Sequence, residues 1–430
     1  MNKKVVIAIA GFGNIGSNFY KLLEKTKVSV ITQTGKTPIV KYISAKNFRK
    51  KRLVRIPKSK WIKDPLKFPK MKDIDIIIEL IGGADGIAKK LVFSSLKNKK
   101  HVITANKALI AKYGNELASL AEINNVNLEY EASVAGGIPI IRSIKESLIG
   151  NKIDKIYGIL NGTTNFILSS MESKGKDFSE VLSIAKKLGY AETNPKSDLN
   201  GDDSAAKIKI LSSLVFKSTI TKNYILTEGI QNITLKDITY AKTLGYKIKL
   251  LSISEIIEKK IIERVHPCLI SSNSYLGNID GVLNAVVIEG KPVGKVVLQG
   301  EGAGSGPTSS ALISDLCSVL RGNIKLPFGI SYKKKKKLTK FDILKHASSS
   351  YLRIEVQDLP GVLSSITKIF AKNRISIKNL IQNPDKKNKK ASIVIITYKN
   401  LEKNYKNLFL NLVKNKFVLK KPIFIRIENL

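Results

Sequence analysis

Asp203 and Lys207 set a carboxylate and an ammonium four residues apart in a stretch, Asp202–Phe216, whose pattern predicts a helix. At 3.6 residues per turn Lys207 shares the apolar face of Leu211 and Leu214, while Lys209 lies about 160° further round as an ordinary surface lysine. The stripe therefore turns two charges inward, where neither is stable without a partner. One reading is a solvated i,i+4 pair contributing about 0.3–0.5 kcal/mol. The other is a buried amine that gives up a proton or neutralises charge on a reacting oxygen. A second lysine, Lys107, follows Thr104-Ala105-Asn106 at the end of an apolar strand. It reads either as helix surface or as part of a cleft, because open α/β sheets bind ligands at that edge.

Gly11-Phe12-Gly13-Asn14-Ile15-Gly16 is a G-x-G-x-x-G loop placed between a strand and a helix. Its glycines allow a tight turn and close approach to a pyrophosphate at the positive helix N-terminus; the alternative is a purely structural turn. After the second strand come Lys46, Arg49, Lys50, Lys51 and Arg52, and no carboxylate stands there to hold a ribose 2′-hydroxyl. NADP is therefore expected in preference to NAD. Glu131-Ala132-Ser133-Val134-Ala135-Gly136-Gly137-Ile138-Pro139 reads as a hinge, or as a site where freed carbonyls and a carboxylate hold a monovalent cation.

The elements that must position these groups alternate strand and helix over the first 130 or so residues: Val5–Ala10, Asn14–Lys25, Pro38–Ser44, Ile74–Leu80, Ile87–Asn98, His101–Thr104, Lys107–Asn124 and Asn127–Glu131. That rhythm predicts a Rossmann-type doubly wound sheet over residues 1–131, completed by a helix within 307–330. Helices then dominate (Ile138–Leu148, Thr163–Lys174, Phe178–Leu188, Asp202–Phe216, Leu235–Leu244), followed by strands Lys247–Ile257, Lys260–Ile270 and Leu283–Glu289. An α+β substrate and dimerisation domain is expected over 132–306. A basic linker, 331–348, leads to a β-α-β-β-α-β series over 349–430, the order of a ferredoxin-like unit.

A chain of 430 residues accommodates three such domains. The net charge of +40 comes from lysines scattered through every element rather than gathered on one face with aromatics. It reads as solvated surface, so no nucleic-acid partner is expected; steeply salt-dependent nucleic-acid binding would support the opposite view. No apolar run reaches membrane-spanning length, and the N-terminal run stops at the glycine loop, so a first strand is preferred to a signal peptide. Cys268 and Cys317 have no metal spacing or activating context, and His101, His266 and His346 no triad spacing. A reduced, cytoplasmic protein with small-molecule ligands fits best.

Taken in order, the chain resembles homoserine dehydrogenases. The resemblance rests on Glu79-Leu80-Ile81-Gly82-Gly83, Thr104–Lys107, Glu131–Pro139, Gly158-Ile159-Leu160-Asn161-Gly162-Thr163-Thr164-Asn165-Phe166, Gly189–Lys207 and Gly302-Ala303-Gly304 with Pro307-Thr308. Asp358-Leu359-Pro360-Gly361-Val362-Leu363 resembles the strand–helix turn of an ACT domain. The resemblance implies NAD(P)-dependent interconversion of L-aspartate 4-semialdehyde and L-homoserine. It makes Lys207 the proton donor, places Lys107 beside nicotinamide and substrate, and gives the substrate's amino end to Glu192, Asp198 and Asp203. It adds Gly302 to the cofactor residues and a sodium ion on Glu131, Val134, Gly136 and Ile138. An amino-acid effector such as threonine is implied at Asp358, Gly361, Val362 and Leu363, and a homodimer or homotetramer through the tail; a tail used only for packing is the alternative. Ala206 stands where many relatives have histidine, and Asp202 beside Asp203 blurs which aspartate is functional. Two lysines in one cleft would lower each other's pKa, with Asp203 opposing.

Overall fold

Strand β1 (Lys3–Ala10) is buried from Ile7 to Ala10 because helices cover both faces of its sheet. The computed structural model describes residues 3–48, 50–220, 225–322, 324–385 and 388–430; Arg49, one of the expected cofactor ligands, lies outside them. Next come α1 (Asn14–Thr34), β2 (Lys36–Ser44), β3 (Ile76–Glu79), α2 (Ile87–Lys97), β4 (His101–Thr104), α3 (Lys107–Ile123) and the short β5 (Leu128–Glu129). All five strands run parallel in the order β2-β1-β3-β4-β5. The order reverses between β1 and β3, so their carboxyl ends open a crevice.

The expected helix over 138–148 forms only as α4 (Ile140–Arg142), running on as a π-helical turn, Ser143–Ser147. Beyond it lie β6 (Lys152–Ile159), α5 (Gly162–Lys174), α6 (Phe178–Lys187), α7 (Lys196–Leu199), α8 (Asp202–Val215), β7 (Leu226–Thr227), α9 (Leu235–Thr243), β8 (Tyr246–Ile257), β9 (Lys260–Ser271), β10 (Leu283–Lys291) and β11 (Gly294–Glu301). The patterning did not announce β6 or β11. β11 is an edge strand with no fully buried residue, so it lacks the apolar alternation that marks a strand. Helix α10 (Ser305–Leu320) then returns to the nucleotide half, as expected, but starts earlier and stops ten residues short of the 307–330 span. Its Leu312, Leu316, Val319 and Leu320 share one core with Phe19, Leu23 and Val30 of α1.

The tail is β12 (Ala347–Gln357), α11 (Val362–Lys372), β13 (Ile377–Asp385), β14 (Lys390–Thr397), the two-residue β15 (Asn400–Leu401), α12 (Glu402–Val413) and β16 (Ile423–Ile427). It has the anticipated ferredoxin-like order, β16-β12-β14-β13, and a core of its own, and it is joined to the substrate domain's sheet. β16 pairs with β9 in parallel, Arg426 beside Cys268 and Ile427 beside Leu269, so the tail's strands extend the substrate domain's sheet to eleven. Ion pairs cross the seam: the buried Arg264 to Glu428 at 2.9 Å and Arg353 to Asp237 at 2.7 Å, and the buried Arg426 to the half-exposed Glu228 at 2.9 Å. His266, Cys268 and Glu428 lie close enough there to share a metal ion, but Arg264 already takes Glu428 and burial pushes the thiol well up. The segment read as a loose linker is tied down. Ser331 and Tyr332 bind the Glu122 carboxylate of α3, Lys336 bonds backbone to backbone with Lys217 and Thr219, and Thr339 and Phe341 bond to Ile261. Among the described residues no helix is long and apolar enough to cross a membrane.

Candidate active site

Helix α8 begins after Gly201, whose φ of +87° places it in the left-handed region that a side chain resists. Asp203 thereby enters the first turn, where the helix dipole favours a carboxylate. Its two oxygens are divided between two lysines: Oδ1 lies 2.8 Å from Lys107 Nζ, and Oδ2 lies 2.8 Å from Lys207 Nζ. Lys107 is the first residue of α3, where the dipole disfavours a cation, so Asp203 also offsets that cost. Lys207 is 7% exposed and donates to the Leu160 carbonyl at 2.7 Å as well. An ammonium has three N–H donors, so one remains for a ligand oxygen. Asp202 is exposed, which identifies Asp203 as the inward aspartate.

Asn161 ties this pair to the rest. Its Oδ1 caps α5 by accepting from Thr164 N, while Nδ2 donates to Asp198 at 2.8 Å and Asp203 at 2.9 Å. Burial and the neighbouring Asp203 charge raise the Asp198 pKa, against Asn161 and both lysines. Burial would raise Asp203 too, but Lys207 and Lys107 hold its carboxyl well below the usual carboxylate range. Lys107 is pushed down by burial but up by Asp203, Asp198 and Glu192, and the net shift is upward. Of the two opposing influences expected on the lysines, the carboxylate between the amines prevails at Lys107. Glu192 is exposed on the turn after α6, within the electrostatic reach of Lys107.

A second network holds Lys107 from behind. Glu79, wholly buried at the end of β3, accepts from Ile81 N and Gly82 N through Oε1 and from the Thr104 hydroxyl through Oε2 at 2.6 Å. The Thr104 hydroxyl accepts from Asn106 N, and Asn106 caps α3 at Leu109 N while donating to the Gly83 carbonyl. Sequence reasoning gave no role to Glu79, Asn106, Asn161 or the Leu160 carbonyl. The asparagines stand just before helices, which a capping reading could have found.

The glycine loop fits a dinucleotide. A Cβ on Gly11 would lie 2.4 Å from the Leu80 carbonyl, and one on Gly16 would lie 2.5 Å from the Gly11 oxygen, whereas one on Gly13 meets nothing within 4 Å. The first and third glycines let backbones pack, and the second leaves room for a ligand. Asn14 and Ile15 open α1 behind it. A cleft of about 960 Å³ lies against this loop, lined by Gly11, Phe12, Gly13, Lys46, Lys50, Arg52 and Trp61 among others. Arg52, one of the cations after β2, donates from Nε to the Phe12 carbonyl at 2.8 Å and lies over the Trp61 ring.

Gly302 is buried against Asn284 and Gly136, where a Cβ would stand 2.0 Å from the Asn284 amide, so its backbone packs at the crossing between the two halves. The oxygens expected to hold sodium already take hydrogen bonds. Both Glu131 carboxylate oxygens accept amides, from Ile141 and Arg142 at 2.8 Å each, and the Ile138 carbonyl accepts from Ile140 at 2.7 Å. Burial pushes the Glu131 carboxyl up to about 7 despite those amides. Val134 is buried, and Gly136 completes a turn in which Ala135 and Gly136 both have positive φ. The hinge reading accounts for this stretch. Among the effector residues, Val362 is 3% exposed in the tail's core and cannot face a ligand; Asp358 accepts from Gln382, Gly361 opens α11, and Leu363 is exposed.

Comparison with known proteins agrees with this geometry. Family models described as "Homoserine dehydrogenase, NAD binding domain", "Homoserine dehydrogenase" and "ACT domain" match residues 11–131, 139–317 and 350–408. A homoserine dehydrogenase of Neisseria gonorrhoeae is 38% identical over 436 residues, covering 100% of this chain and 99% of that protein. The crystal structure of a homoserine dehydrogenase from Thiobacillus denitrificans superimposes with a TM-score of 0.91 at 35% identity over 99% of both chains. A hyperthermophilic archaeal homoserine dehydrogenase mutant in complex with NADPH, 27% identical, matches 75% of this chain with a TM-score of 0.63.

Proposed function

The chain belongs to the homoserine dehydrogenase family, and from that premise we propose that it reduces L-aspartate 4-semialdehyde to L-homoserine at the Lys107–Asp203–Lys207 cluster. When bound, the nicotinamide cofactor supplies the hydride. Lys207 gives its remaining N–H to the substrate oxygen and protonates it as the alkoxide forms. Asp203 and the Leu160 carbonyl aim that amine, and Lys107, 42% exposed along its side chain, reaches the substrate from the cofactor side. Asp198 and Glu192 receive the substrate's ammonium. The observation behind this reading is one carboxylate shared by two amines at the ends of two helices. The Lys207→Ala chain should lose at least about 10²-fold in turnover. Near-normal turnover with L-aspartate 4-semialdehyde in a folded variant sinks the assignment, and an unchanged substrate KM in Glu192→Ala sinks ammonium recognition.

NADP is the preferred cofactor in this reading, since Lys46, Lys50 and Arg52 line the cleft beyond β2. Guanidinium and ammonium groups suit a 2′-phosphate, and the usual carboxylate is missing. A higher kcat/KM for NADH than for NADPH overturns it. The two sheet edges, β11 and β13, are largely exposed. Open edges favour pairing with a second copy, so we also infer a dimer or tetramer, working in the cytoplasm. An amino-acid effector at Asp358, Gly361 and Leu363 remains part of the proposal.

A further inference from the structure

Helices α3 and α8 are tied together twice. At their first turns the tie is Lys107 to Asp203. The second tie lies about 12–15 Å further along both helices, at about 1.5 Å of rise per residue, and is made by Lys335 of the segment that runs on to β12. Lys335 Nζ donates to Asn115 Oδ1 of α3 at 3.0 Å and to Ser213 Oγ of α8 at 2.9 Å. Both acceptors are themselves held: Asn115 Oδ1 also accepts from Ile220 N, and the Ser213 hydroxyl donates to the Ser218 carbonyl. The amine lies 3.6 Å from the centre of the Phe328 ring, which leaves the third N–H of an ammonium for the ring's negative face. Gly114 of α3 permits this closeness, since a Cβ there would lie 2.8 Å from Ile220 and 3.0 Å from Phe328.

Lys335 is half-buried, and burial pushes its pKa down to about 7 against the charge of Glu122 on α3. Glu122 is itself taken by Ser331 and Tyr332. The other charged groups nearby are Lys209 of α8, Glu263 of β9, and Lys337 and Lys340 of the same segment, which line a cavity of about 560 Å³ with Asn115 and Ser213. An ammonium fills all three contacts, whereas a neutral amine turns a lone pair toward one of them, so the joint is tightest when protonated. Hydrogen bonds have a direction that apolar contacts lack, so this joint fixes the rotation of α8 against α3. A rotation of about 10° moves a group 5–6 Å from a helix axis by about 1 Å. Displacements of about that size in a reactive geometry can cost 10²-fold.

We propose that Lys335 is a positioning residue for the reaction: its ammonium locks α3 to α8 and so holds Lys107 and Lys207 on the Asp203 they share. The inference rests on the catalytic reading above.

The native full chain, Lys335→Met and Ser213→Ala are compared in the reduction of L-aspartate 4-semialdehyde by NADPH from pH 6 to pH 9. Methionine keeps the length and apolar stem of the side chain and gives up its N–H groups. At pH 6, Lys335→Met should lower kcat roughly tenfold and leave the KM for NADPH unchanged. The native-to-variant ratio of kcat should shrink toward one by pH 9, as the native amine loses its proton. Ser213→Ala should show a smaller loss with the same trend, which keeps the test alive if Lys335→Met fails to fold. Melting reads the amine without turnover. Its folded pKa lies below the unfolded value of 10.5, so the unfolded chain binds more protons and the native Tm should rise relative to that of Lys335→Met between pH 7 and 10. A kcat ratio or a Tm gap that stays constant with pH overturns the proposal, as does native kcat in Lys335→Met at pH 6. So does a fall in kcat matched by an equal rise in the KM for NADPH, which would mean general loosening. A native chain that does not reduce the semialdehyde would instead overturn the catalytic reading, and this inference with it.

Discussion

Asp203 does three jobs with two oxygens: it anchors Lys207, anchors Lys107 and accepts from Asn161. Its carboxyl is held below the usual range by the two lysines. A depressed folded pKa contributes stability that is present above the unfolded value of 3.8 and is lost as pH falls through the folded one. Asp203→Asn should therefore destabilise the chain at pH 7 by about 3–5 kcal/mol, the cost of stranding a buried partner. The gap between variant and native chain should shrink in denaturant titrations as pH drops below about 4. A gap that stays constant to pH 2 would mean that Asp203 is not the ionised clamp. At this scale the sequence reading of an inward i,i+4 pair held, while the net direction at Lys107, left open between the second lysine and Asp203, was decided by the carboxylate.

Positioning depends on how element ends are stitched together. Glu79 joins the ends of β3 and β4 through Thr104, and the same turn caps α3 just ahead of Lys107. Glu79→Gln preserves shape but puts a donor where one of three donors must be accepted. The resulting shift at the start of α3 should lower kcat roughly tenfold or more, since displacements of about 1 Å in a reactive geometry can cost 10²-fold. The cofactor Kd should change less than kcat, because the glycine loop itself is built on β1 although Glu79 also holds Ile81 at the cleft wall, and Thr104→Val should have a similar effect on kcat. Equal losses in kcat and cofactor binding would point instead to general loosening of the crevice.

On the scale of the whole molecule, the tail is a domain with its own core whose sheet continues that of the substrate domain. Arg353 binds Asp237 of α9, a fully buried carboxylate that also belongs to the capping box of that helix with Thr234. β16 covers the edge of β9 beside Cys268 and Leu269. Ending the chain at Lys345 would strip that edge, strand Asp237, leave Arg264 with Glu255 alone, and expose buried apolar side chains. The truncated protein should aggregate or melt far below the full chain in light scattering and calorimetry. A soluble truncation with unchanged Tm would restore the picture of an independent regulatory unit.

The order of residues by itself determined the local architecture. Apolar periodicity located most elements to within a few residues, the glycine loop located the crevice, and the Gly189–Lys207 stretch located the acid and amine side chains. These are properties of neighbours in the chain, set by side-chain period and turn chemistry. Only the tertiary structure decided that one aspartate bridges Lys107 and Lys207, a hundred residues apart, or that both Glu131 oxygens take backbone amides at the start of α4. It also decided that Lys209 faces a cavity and that β16 joins β9. Each of those depends on which distant groups meet and on how much water their meeting removes, and burial and charge pairing of that kind have no period along the chain.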